Sequence, residues 1–162
     1  MINGFAPMNP ADTTASLGGV LDRLSAIAVK DREERFERRP RWAAYRDRVL
    51  CVALCQGPAQ HYVDGRNGVK DLDVYTFYAA HNDIGPFPPR SLIRREFDRV
   101  PFRGRQVDLI GRSLREDIDA DPFQAVHRYL SRPRTETARC LSRKAVVLLD
   151  PRPLRGRVAW PI

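Results

Sequence analysis

Asp71 and Asp73 stand one residue apart in the stretch GVKDLDVYTFY, at the mouth of the most aromatic segment of the chain. Desolvating a carboxylate is costly, and Asp is a poor strand former. Strand side chains alternate faces, so the two carboxylates point the same way, about 7 Å apart at Cα, while Leu72 and Val74 point into a core. Two acids so placed can hold one divalent cation or two, and without a cation they do not both stay ionised cheaply. A two-metal phosphoryl-transfer site draws a third carboxylate from a neighbouring strand. The segment RQVDLIG offers Asp108, set between Val107 and Leu109, where an acid has no structural role unless it is paired. The plainer alternatives are a solvated or salt-bridged turn edge for Asp71 and Asp73, and a buried paired acid for Asp108.

A second feature lies upstream. The apolar run VLCVALC runs into Gln56, Gly57 and Pro58. Glycine lets backbone approach an anion closely, and the start of a helix presents free N–H groups to it. Pro58 suits the first position of a short helix, PAQHYV.

The elements that must carry these groups follow from pattern. Residues 1–16, rich in Gly, Pro, Asn and Thr, read as a flexible arm, and residues 17–162 as one domain. Leu17, Val20, Leu21, Leu24, Ile27 and Ala28 recur at helical spacing, and Pro40 ends that helix after a charged, solvated second half. WAAYRDR reads as a short helix or the lead-in to a strand. Residues 49–55 read as a strand buried on both faces. Further strands are expected at DLDVYTFY, RQVDLIG and AVVLLD, and helices at SLIRREFDRV with Ser91 as cap, DPFQAVHRYLSR and TETARCLSRK. The order predicts an α/β protein of mixed α+β type, with a small mixed central sheet flanked by helices.

This order resembles the nucleotidyltransferase fold of the DNA polymerase β superfamily. The matching residues are Cys55-Gln56-Gly57 opening a helix, Asp71 and Asp73 on the next strand, and Asp108 on a later one, with 14 residues from Gly57 to Asp71 and 35 from Asp73 to Asp108. The resemblance covers residues 42–115. It implies that Asp71, Asp73 and Asp108 are catalytic and hold two Mg²⁺ ions, one clamping an NTP and the other lowering the pKa of an acceptor hydroxyl. Asp108 accepts that hydroxyl's proton, and the acceptor is RNA, a protein side chain or a small molecule. Where the family keeps Ser after the glycine, this chain has Pro58, with neither hydroxyl nor N–H. Phosphate contact therefore falls to Gly57, to the N–H groups of Ala59 and Gln60, and to the side chains of Gln56, Gln60 or Lys70. Only 54 residues follow Asp108, so the form is minimal. The alternative within the same resemblance is an inactive module that binds RNA or a protein partner through a basic surface. A glycosyltransferase-type D-x-D has no use for the upstream glycine and helix. A restriction-type nuclease wants E-x-K, which the chain lacks.

Composition bounds the rest. With 43% hydrophobic and 30% charged residues the chain reads as soluble and globular, with no run long enough to span a bilayer. There are 28 basic residues, of which only Lys30, Lys70 and Lys144 are lysines, and the net charge of +8 favours polyanionic partners such as RNA. Cys51, Cys55 and Cys140 read as reduced, mostly buried thiols in a cytoplasmic protein; a metal site from Cys51 and Cys55 lacks completing ligands. His61 lies close to the phosphate turn but reads as structural, as do His81 and His127. YTFY reads as core in preference to a base-stacking platform.

Overall fold

The computed structural model describes residues 10–66, 68–87 and 92–161. Six strands form one mixed sheet: β1 (Val49–Cys55), β2 (Leu72–Ala79), β3 (Ile93–Glu96), β4 (Gln106–Leu114), β5 (Val146–Asp150) and β6 (Val158–Trp160). Their spatial order is β3-β4-β2-β1-β5-β6. Among the described residues only β2 and β4 run parallel; every other neighbouring pair is antiparallel. The expected mixed α+β architecture is therefore the observed one.

Four α-helices cover the two faces: α1 (Pro10–Arg38), α2 (Gln56–Asp64), α3 (Pro122–Ser131) and α4 (Glu136–Leu141). Strand alternation sorts the core between them. Cys51, Ala53, Tyr75, Phe77 and Val146 point to the α3 and α4 side, where they meet Val126, Leu130 and Leu141. Val52, Leu54, Val74, Val107 and Leu109 point the other way, to Leu21 and Leu24 of α1 and Ala59 of α2. Burial of both faces of β1 explains why its sequence is apolar without alternation. Asp121 caps α3 by accepting from the Gln124 N–H, and Thr135 caps α4 through the Ala138 N–H.

Several boundaries differ from the pattern reading. α1 begins at Pro10, inside the segment expected to be an arm, and residues 1–9 lie outside the described residues. Its charged second half is not simply solvated: Phe36 is buried, and Asp31 is only 6% exposed because Arg35 and Arg95 both donate to its carboxylate. WAAYRDR lies in a 3₁₀ helix, Pro40–Arg48. SLIRREFDRV is not a helix. Ile93–Glu96 pairs with β4 as an edge strand, and Ser91 lies outside the described residues. Its solvent-facing side is charged, as edge strands that avoid pairing with other chains usually are. β6 was not expected. It closes the opposite edge and is tied to α4 by the Trp160 indole N–H, which donates to the Ser142 carbonyl.

Arg155 locks α1 onto this edge. Its guanidinium donates to Asp22 and Ser25 of α1, to Asp150 of β5 and to the Leu149 carbonyl. Among the described residues no helix is long and apolar enough to cross a membrane.

Candidate active site

The register brings the expected acids together. Asp73 of β2 pairs directly with Asp108 of β4 in the parallel ladder. Paired residues share a face and lie about 4.8 Å apart between strands. Asp71 precedes β2 by one residue and lies two before Asp73. The row continues on both sides: Asp73 pairs with Cys55, Cys55 with Val146, and Asp108 with Arg94. One end of the sheet thus gathers the C-terminal end of β1, the N-terminal ends of β2, β4 and β5, and the start of α2.

The electrostatics agree with the crowding. Burial, then the neighbouring Asp108 and Asp71 carboxylates, push the Asp73 carboxyl up to about 6, with Lys144 working in the opposite direction. Lys144, exposed in the turn between α4 and β5, is a site residue that sequence spacing missed. The antiparallel pairing of β5 with β1 brings it there, and linear spacing carries no trace of that pairing.

Asp108 is already engaged. Its Oδ1 accepts from the Gln106 side-chain amide at 2.7 Å and lies 3.7 Å from Arg94 Nε. Asp108 is 14% exposed in its side chain, while Arg94 is 63% exposed. Among the described residues no group of three or more His, Cys, Asp or Glu side chains is arranged to hold a metal ion. The donor set suits Mg²⁺, an oxygen-seeking cation, and the pressure on Asp73 is what a cation relieves. The side chains as they stand do not converge on a common point, and Asp108 turns towards Gln106.

α2 follows β1 without a linker. Its N-cap position, Cys55, makes no side-chain capping bond. Gln56 has φ 59°, a left-handed conformation that costs a non-glycine residue about 1–2 kcal/mol. Strain of this kind tends to be held at functional turns. The Gln56 side-chain oxygen accepts from the Cys140 thiol at 3.7 Å. A Cβ on Gly57 would meet only the Gly68 carbonyl, at an ordinary 3.6 Å, so glycine is not forced here by crowding within the chain. Pro58 and Ala59 are buried. Gln60 is committed elsewhere: its carbonyl oxygen accepts from the Ala145 N–H and its amide donates to Asp64. Lys70 is exposed beside Asp71.

The remaining candidates make packing contacts. His61 meets Phe102 edge to face, with ring centroids 6.2 Å apart. All four residues of YTFY are buried, as expected of core. Cys51, Cys55 and Cys140 are free thiols; burial pushes Cys51 up to about 12 and Cys55 upward as well, so neither of these two is poised as a thiolate ligand or nucleophile. Arg112 also lies on the carboxylate face and donates to the Thr137 hydroxyl.

Comparison with protein-family models found no match, and comparisons with curated proteins and with solved structures found none either.

Proposed function

We propose that the chain is a Mg²⁺-dependent nucleotidyltransferase that moves a nucleoside monophosphate from an NTP to an acceptor hydroxyl and releases pyrophosphate. The observation that carries this reading is the direct pairing of Asp73 with Asp108 on parallel strands, with the Asp71 charge close enough to raise the Asp73 carboxyl and a strand-to-helix turn after the paired Cys55. In this reading Asp71, Asp73 and Asp108 hold two Mg²⁺ ions, which supply neutralisation of phosphate charge and a lowered pKa for the acceptor hydroxyl. The N–H groups of Gly57 and Ala59, at the start of α2, would supply the phosphate contacts. Lys144 adds positive charge beside Asp73. Asp108 receives the acceptor's proton once Arg94, loosely held and mostly exposed, swings away. The acceptor is RNA, a protein or a small molecule, and the protein works in the cytoplasm, where its three free thiols stay reduced.

A second reading is favoured by the engaged Asp108 and by Pro58: a module of this fold that has lost transfer and binds RNA or a protein partner. Purified chain supplied with each α-labelled NTP, Mg²⁺ and candidate acceptors separates the two. Label on an acceptor with matching pyrophosphate release supports the enzyme. No turnover with any NTP, in the presence of RNA and cell-derived small molecules, favours the module.

Pro58→Ser probes the phosphate turn. Replacing the buried ring costs about 0.4–1 kcal/mol through the freer unfolded chain alone, so the variant melts a few degrees lower. A new hydroxyl at the helix start adds a charge-assisted hydrogen bond of at most about 1.5–3 kcal/mol to bound phosphate. NTP affinity by titration calorimetry is therefore equal or higher. No NTP binding by either form would mean that the turn is not a phosphate site and would favour the binding module.

A further inference from the structure

We propose that a cavity on the opposite face of the sheet, between the C-terminal half of α1, the 3₁₀ helix and β3, is a phosphate-binding site. The cavity measures about 240 Å³, and its charged lining is Asp31, Glu34, Arg35, Arg38, Arg39 and Arg95. Four guanidiniums thus face two carboxylates. The carboxylates are already matched: Asp31 pairs with Arg35 and Arg95, and Glu34 lies 3.6 Å from Arg95. Arg38 and Arg39 are exposed and make no ion pair among the described residues. Arg41 extends the cluster, its guanidinium lying 5.2 Å from the centre of the Trp42 ring.

The excess of positive charge continues beneath the cavity. Nε and Nη1 of Arg32 and Nε of Arg35 are buried without a hydrogen-bond partner among the described residues. They border a space of about 10 Å³ that shares Asp31 and Arg35 with the larger cavity. Buried donors are paired in nearly all folded proteins, so three unpaired ones in one place call for an acceptor. The negative end of the α1 dipole accounts for arginines in its last turn. It does not account for Arg39 and Arg41 beyond that turn, or for the unpaired donors of Arg32 one turn earlier. Guanidinium forks bind phosphate oxygens two at a time, which makes phosphate the anion that such a cluster suits best. The phosphate has two sources with the same chemistry, a free phosphate group or the backbone of a single-stranded nucleic acid. The site is independent of the carboxylates and of the activity proposed for them.

The test uses the full chain and two probes: a fluorescein-labelled ten-nucleotide oligouridylate read by anisotropy, and orthophosphate at constant ionic strength read by thermal melting. Arg38→Gln combined with Arg39→Gln removes the two unmatched cations. Arg132→Gln combined with Arg134→Gln removes the same charge elsewhere on the surface. The expected result is a loss of about tenfold or more in oligonucleotide affinity for the first pair. Its log–log salt dependence should also become shallower by about 1.4, at about 0.7 per lost phosphate contact. The second pair stays within about twofold of the parent. Stabilisation by orthophosphate that the first pair abolishes, without oligonucleotide binding, assigns the site to a free phosphate group. Failure of both probes to bind, equal binding by the first pair, or equal loss in the two paired variants overturns the proposal.

Discussion

Asp73→Asn should abolish the proposed Mg²⁺-dependent nucleotidyl transfer and at the same time stabilise the metal-free protein at neutral pH. On the proposed function, the loss follows from removing one of three metal-holding carboxylates: several kcal/mol of charge stabilisation disappear, about a thousandfold in rate. The gain follows from linkage. Burial and two like charges raise the folded-state value of Asp73 from 3.8 to about 6. A carboxyl with a raised folded-state value takes up a proton on folding between those limits. Its cost to the fold is therefore fully present above about 6 and is relieved as the pH falls towards 3.8. With allowance for solvent screening of a partly open group, the cost is on the order of 1 kcal/mol. In EDTA at pH 7.5 the variant should melt about 2–4 °C above the parent, with the gap closing by about pH 4 as the parent's Asp73 protonates. A variant that melts lower at pH 7.5, or that keeps full transfer, contradicts this account of the site.

Gly111→Ala destabilises the protein by about 1–3 kcal/mol, the usual cost of overpacking a filled core. Gly111 pairs with Thr76 in the β2–β4 ladder. A Cβ there would stand 2.6 Å from Cδ1 of Phe87 and closer still to Cε1. The ring has little room to retreat. It is 3% exposed and stacks on Tyr78 at 4.6 Å, with Tyr45 and Trp42 against its other sides. Tyr45 is itself fixed, donating to the Gly85 carbonyl and accepting from the His81 N–H. The fall should be read by urea unfolding, and Phe87→Leu introduced into Gly111→Ala should recover part of it. An unchanged midpoint for Gly111→Ala would mean that the aromatic cluster is loosely packed.

Strand alternation in DLDVYTFY was enough to turn Asp73 away from Leu72 and Val74, because side-chain direction depends only on period two. The pairing of Asp73 with Asp108 is another matter. It depends on β2 and β4 running side by side after an intervening 26-residue excursion from Ala80 to Arg105, and only the resemblance to a known fold pointed to it. Gln106 was invisible as a partner of Asp108 for a simple reason: residues two apart on a strand interact only when one side chain turns along the sheet. β3 misled because Leu92, Ile93 and Phe97, set among arginines, mimic an amphipathic helix, whereas a lone edge strand needs only one apolar side. β6 is three residues long and followed by proline, too short for any periodicity. The buried Asp31 escaped notice because its partners, Arg35 and Arg95, sit on different elements, and only together do they make burial of an acid tolerable.

The most direct test of the central claim is the melting temperature of the chain with NTP and Mg²⁺ together. A ligand present at about a hundred times its dissociation constant stabilises by about 2.7 kcal/mol, or about 5–10 °C for a chain of this size. The account predicts that rise for the parent with NTP and Mg²⁺, none with NTP in EDTA, and none for Asp73→Asn combined with Asp108→Asn. No rise in the parent, or an equal rise in the double variant, would contradict the claim that these carboxylates bind a metal–nucleotide complex.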